Sequence, residues 1–411
     1  MNDHFDELEI RDPDLRERAL LAAVRDQVDH AKTNAPYFTT HFAEVDARAI
    51  TDRTALGSVP VTRKTDLIER QQQVPPFGGL TTVSAHQLRR IYQSPGPIND
   101  PEGFGDDYWR FARGMYAAGI RRGDLVHNSF AYHLTPAGAM VESGAHAIGC
   151  AVVPAGVGNT EIQARIIASL KPTAYGGTPS FLKILLEKGA ELGLETSSLS
   201  KGLVGGEALP PSLRQAIKDL GVEVYSGYGT ADVGSIAYES VALEGMIVDE
   251  GILLEIVEPG GQVAVDEGDV GEVVVTTFNR DYPLIRFATG DLSAVLPGES
   301  PCGRTNMRIR GWLGRADQSA KVRGMFVHPS QVMAVLARHP EIKKARLVID
   351  SVDGRDQMTL YCGVADASDA LALQVAETIQ SVCKVRGDVT FVNPDSFAKD
   401  GKLIDDQREV G

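Results

Sequence analysis

Between Cys150 and Leu220 the chain repeats one local design. An apolar run, Cys150 to Val153, passes through AGVGN into a helical pattern opened by Thr160 and Gln163 at capping-box spacing, with Ile162, Ile166 and Leu170 expected to face inward. Ala174 and Tyr175 then run into GGTPS and a second helical pattern, and GLVGGEALP at 202–210 precedes a third at 211–220. Strand, glycine turn and helix in succession predict a largely parallel sheet covered by helices. Such sheets bind ligands at the carboxyl ends of their strands, where glycine loops gather and helix N-termini offer free N–H groups. The glycine loops therefore place the functional site.

The flanking segments differ in character. Residues 14–32 set Leu20, Val24 and Val28 four apart among charged and amide side chains, the pattern of an amphipathic packing helix. Past Val222 come short β segments, notably Gly251 to Val257 and Glu272 to Phe278, separated by glycine, proline and acidic turns, which predict a smaller β-rich unit. Beyond Gly314 the pattern restarts with a basic turn, a helix carrying Pro329 near its start, strands at Ala345 to Asp350 and Met358 to Val364, a helix at 368–384 and a strand at Asp388 to Val392. The expected fold is α/β: a large domain over 1–314 with mostly parallel strands and a small β-rich subdomain, and a separate α+β domain over 315–411.

Charge narrows the partners. Forty-one Lys and Arg against 55 Asp and Glu leave a net charge of −14 in 411 residues, which repels a phosphate backbone and an anionic lipid surface. Nucleic acid and membrane are thus disfavoured, and an anionic small molecule needs a local cationic pocket. Cys150, Cys302, Cys362 and Cys383 have no C-x-x-C spacing and no nearby histidine pattern, so neither a zinc cage nor a disulfide framework is expected. With an acidic N-terminus and no apolar stretch approaching about 18 residues, a cytoplasmic location is expected.

Six segments in order carry chemistry: IYQSPGPINDPEGFG at 91–105, GLVGGEALP at 202–210, YSGYGTADVG at 225–234, PLIRFATGDL at 283–292, GWLGRADQSAKVRGMFVHPSQV at 311–332 and FAKDGKLIDDQR at 397–408. In order and spacing they resemble the adenylate-forming enzymes, and specifically the phenylacetate-coenzyme A ligase family. The resemblance spans nearly the whole chain. It implies an ATP- and Mg²⁺-dependent ligase that converts an aromatic or arylacetic acid to an acyl-adenylate and then to a thioester of coenzyme A. A mobile C-terminal lid and a possible homodimer are also implied.

The chemistry explains these residue types. A carboxylate must attack the α-phosphorus of ATP, so two anions are brought together while charge moves to pyrophosphate, and cations are required. By resemblance, Lys402 is the catalytic lysine that contacts the carboxylate and α-phosphate, and Asp291 accepts hydrogen bonds from the ribose hydroxyls, a task suited to an acceptor-only carboxylate. Arg315 falls near ribose and phosphates, and Asp317 at the hinge of the lid. Gly206 and Glu207 match the loop lining the adenine. Tyr228 and Gly229 match the next loop, the ring either stacking on a ligand or packing in the core. Thr230 and Asp232 would hold an α-phosphate oxygen and Mg²⁺.

Two departures stand out. The metal-binding glutamate of the family is here the shorter Asp232, preceded by Ala231. The loop that in the family cradles the β- and γ-phosphates with glycines, hydroxyls and a lysine keeps only Ser94 and Gly96. Pro95, Pro97 and Pro101 cannot donate N–H groups there, and Asp100 and Glu102 add negative charge. A protein that binds an acyl-adenylate or acyl-CoA without cleaving ATP, and an adenylating enzyme that passes its acyl group to an amine or carrier protein, therefore stay open as alternatives. In HNSFAYHL at 127–134, Phe130 and Tyr132 are candidates for an aryl-binding wall, and His133 either reads a polar substituent or is an ordinary core or surface histidine. Ser240 stands where relatives often carry a cysteine, in keeping with the expected lack of structural zinc.

Overall fold

A computed structural model of the chain describes residues 4–94, 97–316, 320–327, 329–352, 355–364, 367–397 and 402–408. They divide into two compact units, one reaching Leu313 and the other beginning at Gly314. No helix among the described residues is long and apolar enough to cross a membrane.

In the first unit, β4 (Leu125–Asn128), β5 (Ala151–Pro154), β6 (Ala174–Gly177), β7 (Lys201–Val204) and β8 (Glu223–Thr230) lie in the order β5-β4-β6-β7-β8. All four of these pairings are parallel. The helices between them are Thr160–Leu170, Pro179–Glu191 and Pro211–Asp219, with Ala137–Ile148 joining β4 to β5. Burial on both faces follows: Met115, Val126, Val141 and Leu203 pack in one cluster, while Ile167, Leu182, Leu185, Ile217 and Val224 pack in another. Because the chain leaves β4 for β5 on one side and returns to β6 on the other, the carboxyl ends of β4 and β6 flank a topological switch point. The loops there sit very close. A Cβ at Gly177 would lie 2.1 Å from the Ser129 hydroxyl oxygen, so only glycine fits at the end of β6.

The β-rich segment is hydrogen-bonded to the parallel part through β8. Residues 223–226 of β8 pair in parallel with β7, and its last four residues pair antiparallel with β9 (Gly234–Glu239). Beyond β9 the ladder continues through β10 (Met246–Val248), β14 (Arg308–Ile309), β13 (Phe287–Leu296) and β12 (Val270–Thr277) to β11 (Ile252–Val257). The helix Pro13–Asn34 covers this end, with Val24 and Val28 fully buried in one cluster with Leu253, Val273 and Phe287. Pro13 and the Asp12 cap, whose carboxylate accepts from Leu15 N, set the start of that helix. A two-residue strand, β1 (Thr62–Arg63), adds in parallel to β13, with Thr62 opposite Phe287.

The helix Thr160–Leu170 departs from its expected face. Ile162 and Leu170 are 59% and 54% exposed, and Gln163, Ala164 and Ile167 form the buried side. Gln163 is no capping-box partner. Its side chain is buried, donates to the carbonyls of Gly156 and Gly158, and bonds His127 at 2.8 Å. Gln163 thus fastens the glycine loop to β4.

The second unit has its own core of Val332, Val335, Leu347, Ile349, Leu360, Val375 and Ile379. Its four-stranded sheet runs Asp388–Val392, Arg355–Gly363, Lys344–Val352, Ile404–Asp406, accompanied by helices Pro329–Arg338 and Asp369–Cys383. Ser368 caps the latter by accepting from Leu371 N. The edge strand Ile404–Asp406 pairs in parallel with Leu347–Ile349, and it follows directly on Lys402 and Leu403.

Candidate active site

A turn and a neighbouring strand build the site's anionic centre. At the end of β8 the Thr230 hydroxyl accepts from Val233 N at 3.2 Å, closing the turn that presents Asp232. Gly229 allows this turn to fold back, since a Cβ there would lie 2.4 Å from the Gly234 carbonyl oxygen. Within β13, Asp291 is 6% exposed; Oδ2 accepts from the Tyr228 hydroxyl at 3.0 Å and Oδ1 from the Trp312 indole N–H at 3.1 Å. Tyr228 is itself buried, at 8% exposure. Of its two readings the core one describes its ring, and its hydroxyl holds the carboxylate expected to meet the ribose.

Lys64, which follows β1, was not singled out from the sequence. Its ammonium lies 2.5 Å from Asp232 Oδ2, with the Asp232 side chain fully buried and the lysine side chain 23% exposed. Burial opposes its charge, but the charge and hydrogen bond of Asp232 outweigh that and raise its pKa above the usual lysine value. Nothing in VTRKTDL signals this role; the pairing of β1 with β13 delivers the residue.

The segment expected to be a phosphate loop is a hairpin of β2 (Arg90–Ser94) and β3 (Ile98–Glu102), in register with Ser94 opposite Ile98 and Tyr92 opposite Asp100. The Ser94 hydroxyl donates to the Ile98 carbonyl, while Gly96 lies outside the described residues. The two acidic side chains expected to oppose phosphate have different surroundings. Glu102, fully buried at its side chain, bonds Arg90 at 3.0 Å and the Tyr92 hydroxyl at 2.6 Å. Asp100 is fully buried, and neither of its carboxylate oxygens has a hydrogen-bond partner among the described residues. Burial, followed by the charge of Asp232, pushes its pKa well above the carboxylate range.

A stability test follows from that shift. The folded Asp100 keeps a proton that the unfolded side chain loses above a pH of about 4, so the wild-type chain loses stability as pH rises from there through the raised value. Asp100→Asn should therefore gain on the wild type in urea unfolding as pH climbs from acidic to neutral. A stability difference that stays flat over that range would contradict the assignment.

The parallel half contributes apolar and backbone surface. Gly206, at φ +79°, follows β7, and a Cβ there would touch the Phe130 ring at 3.4 Å, so the loops after β4 and β7 meet. Glu207 accepts from Ser180 N at 2.7 Å and ties its loop to the start of the helix Pro179–Glu191. Tyr132, the other candidate for the aryl-binding wall, has its hydroxyl engaged. Its hydroxyl donates to Glu142 at 2.9 Å and accepts from Asn128 at 2.8 Å, and it lines a cavity of about 250 Å³ with Arg90, Tyr92 and Glu142. His133 is exposed.

Lys402 and Arg315 belong to the second unit. Lys402 is exposed and pairs with Asp405 at 3.3 Å, and Arg315 is half-buried. Asp317 lies outside the described residues.

These residues fit a nucleotide and a metal in distinct ways. Asp291 is a buried carboxylate positioned by two donors, suited to a diol. The Oδ1 of Asp232 is buried without a hydrogen-bond partner among the described residues, as expected of a carboxylate built to receive a further ligand. Asp232 would hold the metal ion, which when bound supplies charge stabilisation to the phosphates.

Comparison with known proteins gives the family. The family model described as AMP-binding enzyme matches residues 129–279. The phenylacetate-coenzyme A ligase of Thermus thermophilus is 33% identical over 315 residues, covering 73% of this chain and 70% of that one. The enzyme of the same name from Escherichia coli is 28% identical over 93% of both chains. Among solved structures, a 2-hydroxyisobutyryl-CoA ligase in complex with its acyl-AMP and CoA aligns over all of this chain and 93% of its own, with a TM-score of 0.80 and 26% identity. With its ordered motifs, its switch-point sheet and these relatives, the chain belongs to the phenylacetate-coenzyme A ligase family of adenylate-forming enzymes.

Proposed function

We propose that this ligase activates an aromatic or arylacetic acid. The reaction is ATP-dependent ligation of a carboxylic acid to coenzyme A through an acyl-adenylate. A carboxylate oxygen attacks the α-phosphorus as the bond to the β-phosphate breaks and pyrophosphate leaves. The CoA thiol then attacks the acyl carbonyl, giving up its proton, and AMP leaves. Asp291 orients the ribose, Asp232 faces the phosphates, and Lys402 stabilises the charge of the first step. The second unit pivots near Asp317 as a lid between the two half-reactions, carrying Lys402 with it, while Arg315, just before the hinge, stays near the ribose and phosphates. The boundary between body and lid falls at 314/315, and the enzyme works in the cytoplasm as a homodimer without nucleic-acid or membrane partners.

The observation that carries the choice of acid is the Phe130 ring against Gly206 at the switch-point loops, an aromatic wall beside the expected adenine loop. Relatives named for phenylacetate support the same reading. Mass spectrometry of products from ATP, Mg²⁺, CoA and a panel of arylacetic, benzoic and short hydroxy acids tests it. Acyl-CoA formed from the aryl acids is expected. Turnover of short hydroxy acids in preference, or AMP and pyrophosphate without acyl-CoA, would overturn it.

A further inference from the structure

The triphosphate of ATP needs protein cations, and from Ser94 onward the hairpin that stands beside Asp232 supplies none: there is no lysine or arginine between Gln93 and Gly105. Arg90, the first residue of β2, and Arg89 before it are committed to the buried Glu102 at 3.0 and 3.7 Å. Lys64 fills the gap. It bonds the metal-facing Asp232, whose side chain is fully buried, at 2.5 Å. Its ammonium has three N–H donors, of which one is given to Asp232 among the described residues, and its side chain is open to solvent over 23% of its surface.

We infer that Lys64 is a phosphate-binding cation of the adenylation half-reaction, held by Asp232 before ATP arrives and turned to the β- and γ-phosphate oxygens once it is bound. The inference rests on the ATP-dependent ligase reading. As the bond from α-phosphorus to the bridging oxygen breaks, its electron pair goes to pyrophosphate, and an ammonium at that end stabilises the charge without transferring a proton. An exchange of partners from carboxylate to phosphate keeps the lysine paired throughout. A purely structural ion pair would instead treat AMP and ATP alike.

The test is calorimetric binding of ATP and of AMP in EDTA, where protein cations alone favour the longer phosphate chain. The wild type should prefer ATP, and Lys64→Gln should lose about ten- to a hundredfold in ATP affinity while AMP affinity holds. Lys64→Arg should restore part of the preference. Because Lys64→Gln leaves Asp232 buried and unpaired, the double variant Lys64→Gln/Asp232→Asn serves as the folded control and should lack the preference too. In parallel, acid-dependent ATP–pyrophosphate exchange should fall in Lys64→Gln, while conversion of supplied acyl-AMP and CoA to thioester continues. Equal binding of ATP and AMP by the wild type, or equal losses for both in the variants, overturns the assignment. A wild type that binds ATP preferentially yet shows no exchange with any acid defeats the ligase reading alone.

Discussion

Arg286→Ala is expected to destabilise the first unit by about 3–5 kcal/mol, the cost of stranding one member of a buried ion pair. The guanidinium is fully buried, and its Nε and Nη2 reach the two oxygens of Glu255 at 3.0 Å each. It also donates to the carbonyls of Gly57, Val59 and Gln262 at 2.7–2.9 Å. Alanine would leave Glu255 without its counter-ion at 5% side-chain exposure and the three carbonyls short of a donor. It would do so at a backbone φ of +43°, which suits it no better than arginine. Urea unfolding of Arg286→Ala against Arg286→Met/Glu255→Leu separates the terms, because removing both charges costs much less than removing one. A single variant within 1 kcal/mol of the wild type would mean that the pair is not buried as described. In PLIRFATGDL, then, the arginine anchors the start of β13, and the aspartate five residues on is the proposed ribose ligand.

Lys402→Ala should act in the opposite manner, leaving the fold alone and removing a rate. Lys402 is 52% exposed, and its bond to Asp405 is a surface pair worth about 0–1 kcal/mol. If it stabilises charge in the adenylation step, its loss should slow acid-dependent pyrophosphate exchange by about 10²–10³-fold. Thioester formation from supplied acyl-adenylate should change far less, since that step does not use the same charge. Stopped-flow or single-turnover measurements of each half-reaction resolve the two. Equal slowing of both would place Lys402 in general positioning, and undiminished exchange would remove it from the mechanism.

What the sequence revealed depended on how local the determinant was. Strands such as Cys150–Val153 and Asp388–Val392 and the helix with Val24 and Val28 were legible because their apolar spacing is set within a few residues. The helix Thr160–Leu170 was legible in extent but not in phase. Ile162, Ile166, Ile167 and Leu170 spread over two faces, and tertiary packing chose Ile167 with the smaller Ala164. Gln163 shows the same limit, since capping-box spacing describes a local bond that the loop carbonyls of Gly156 and Gly158 outcompete. The least legible residues were Lys64 and Asp100. Lys64 precedes Asp232 by 168 residues, and a two-residue strand, too short to leave a periodic signal, brings them together. The negative charge of Asp100 and Glu102 was visible, but their burial and the Arg90 and Tyr92 partners of Glu102 were not, because those partners lie across a hairpin whose turn gives no standard signature.

The change of strand direction within β8 sorts the labour of the pocket. Lys64, Asp232 and Asp291, with their fixed charges, hang from the antiparallel half, whereas Phe130, Gly206 and Glu207 come from crossover loops of the parallel half. Those crossover loops can be lengthened, shortened or exchanged without disturbing the ladder that carries the charges. A lineage can thus vary the organic acid by editing the loop that carries Phe130, whereas the neighbouring loop of Gly206 and Glu207, matched to the adenine, limits how far that flank can be rebuilt.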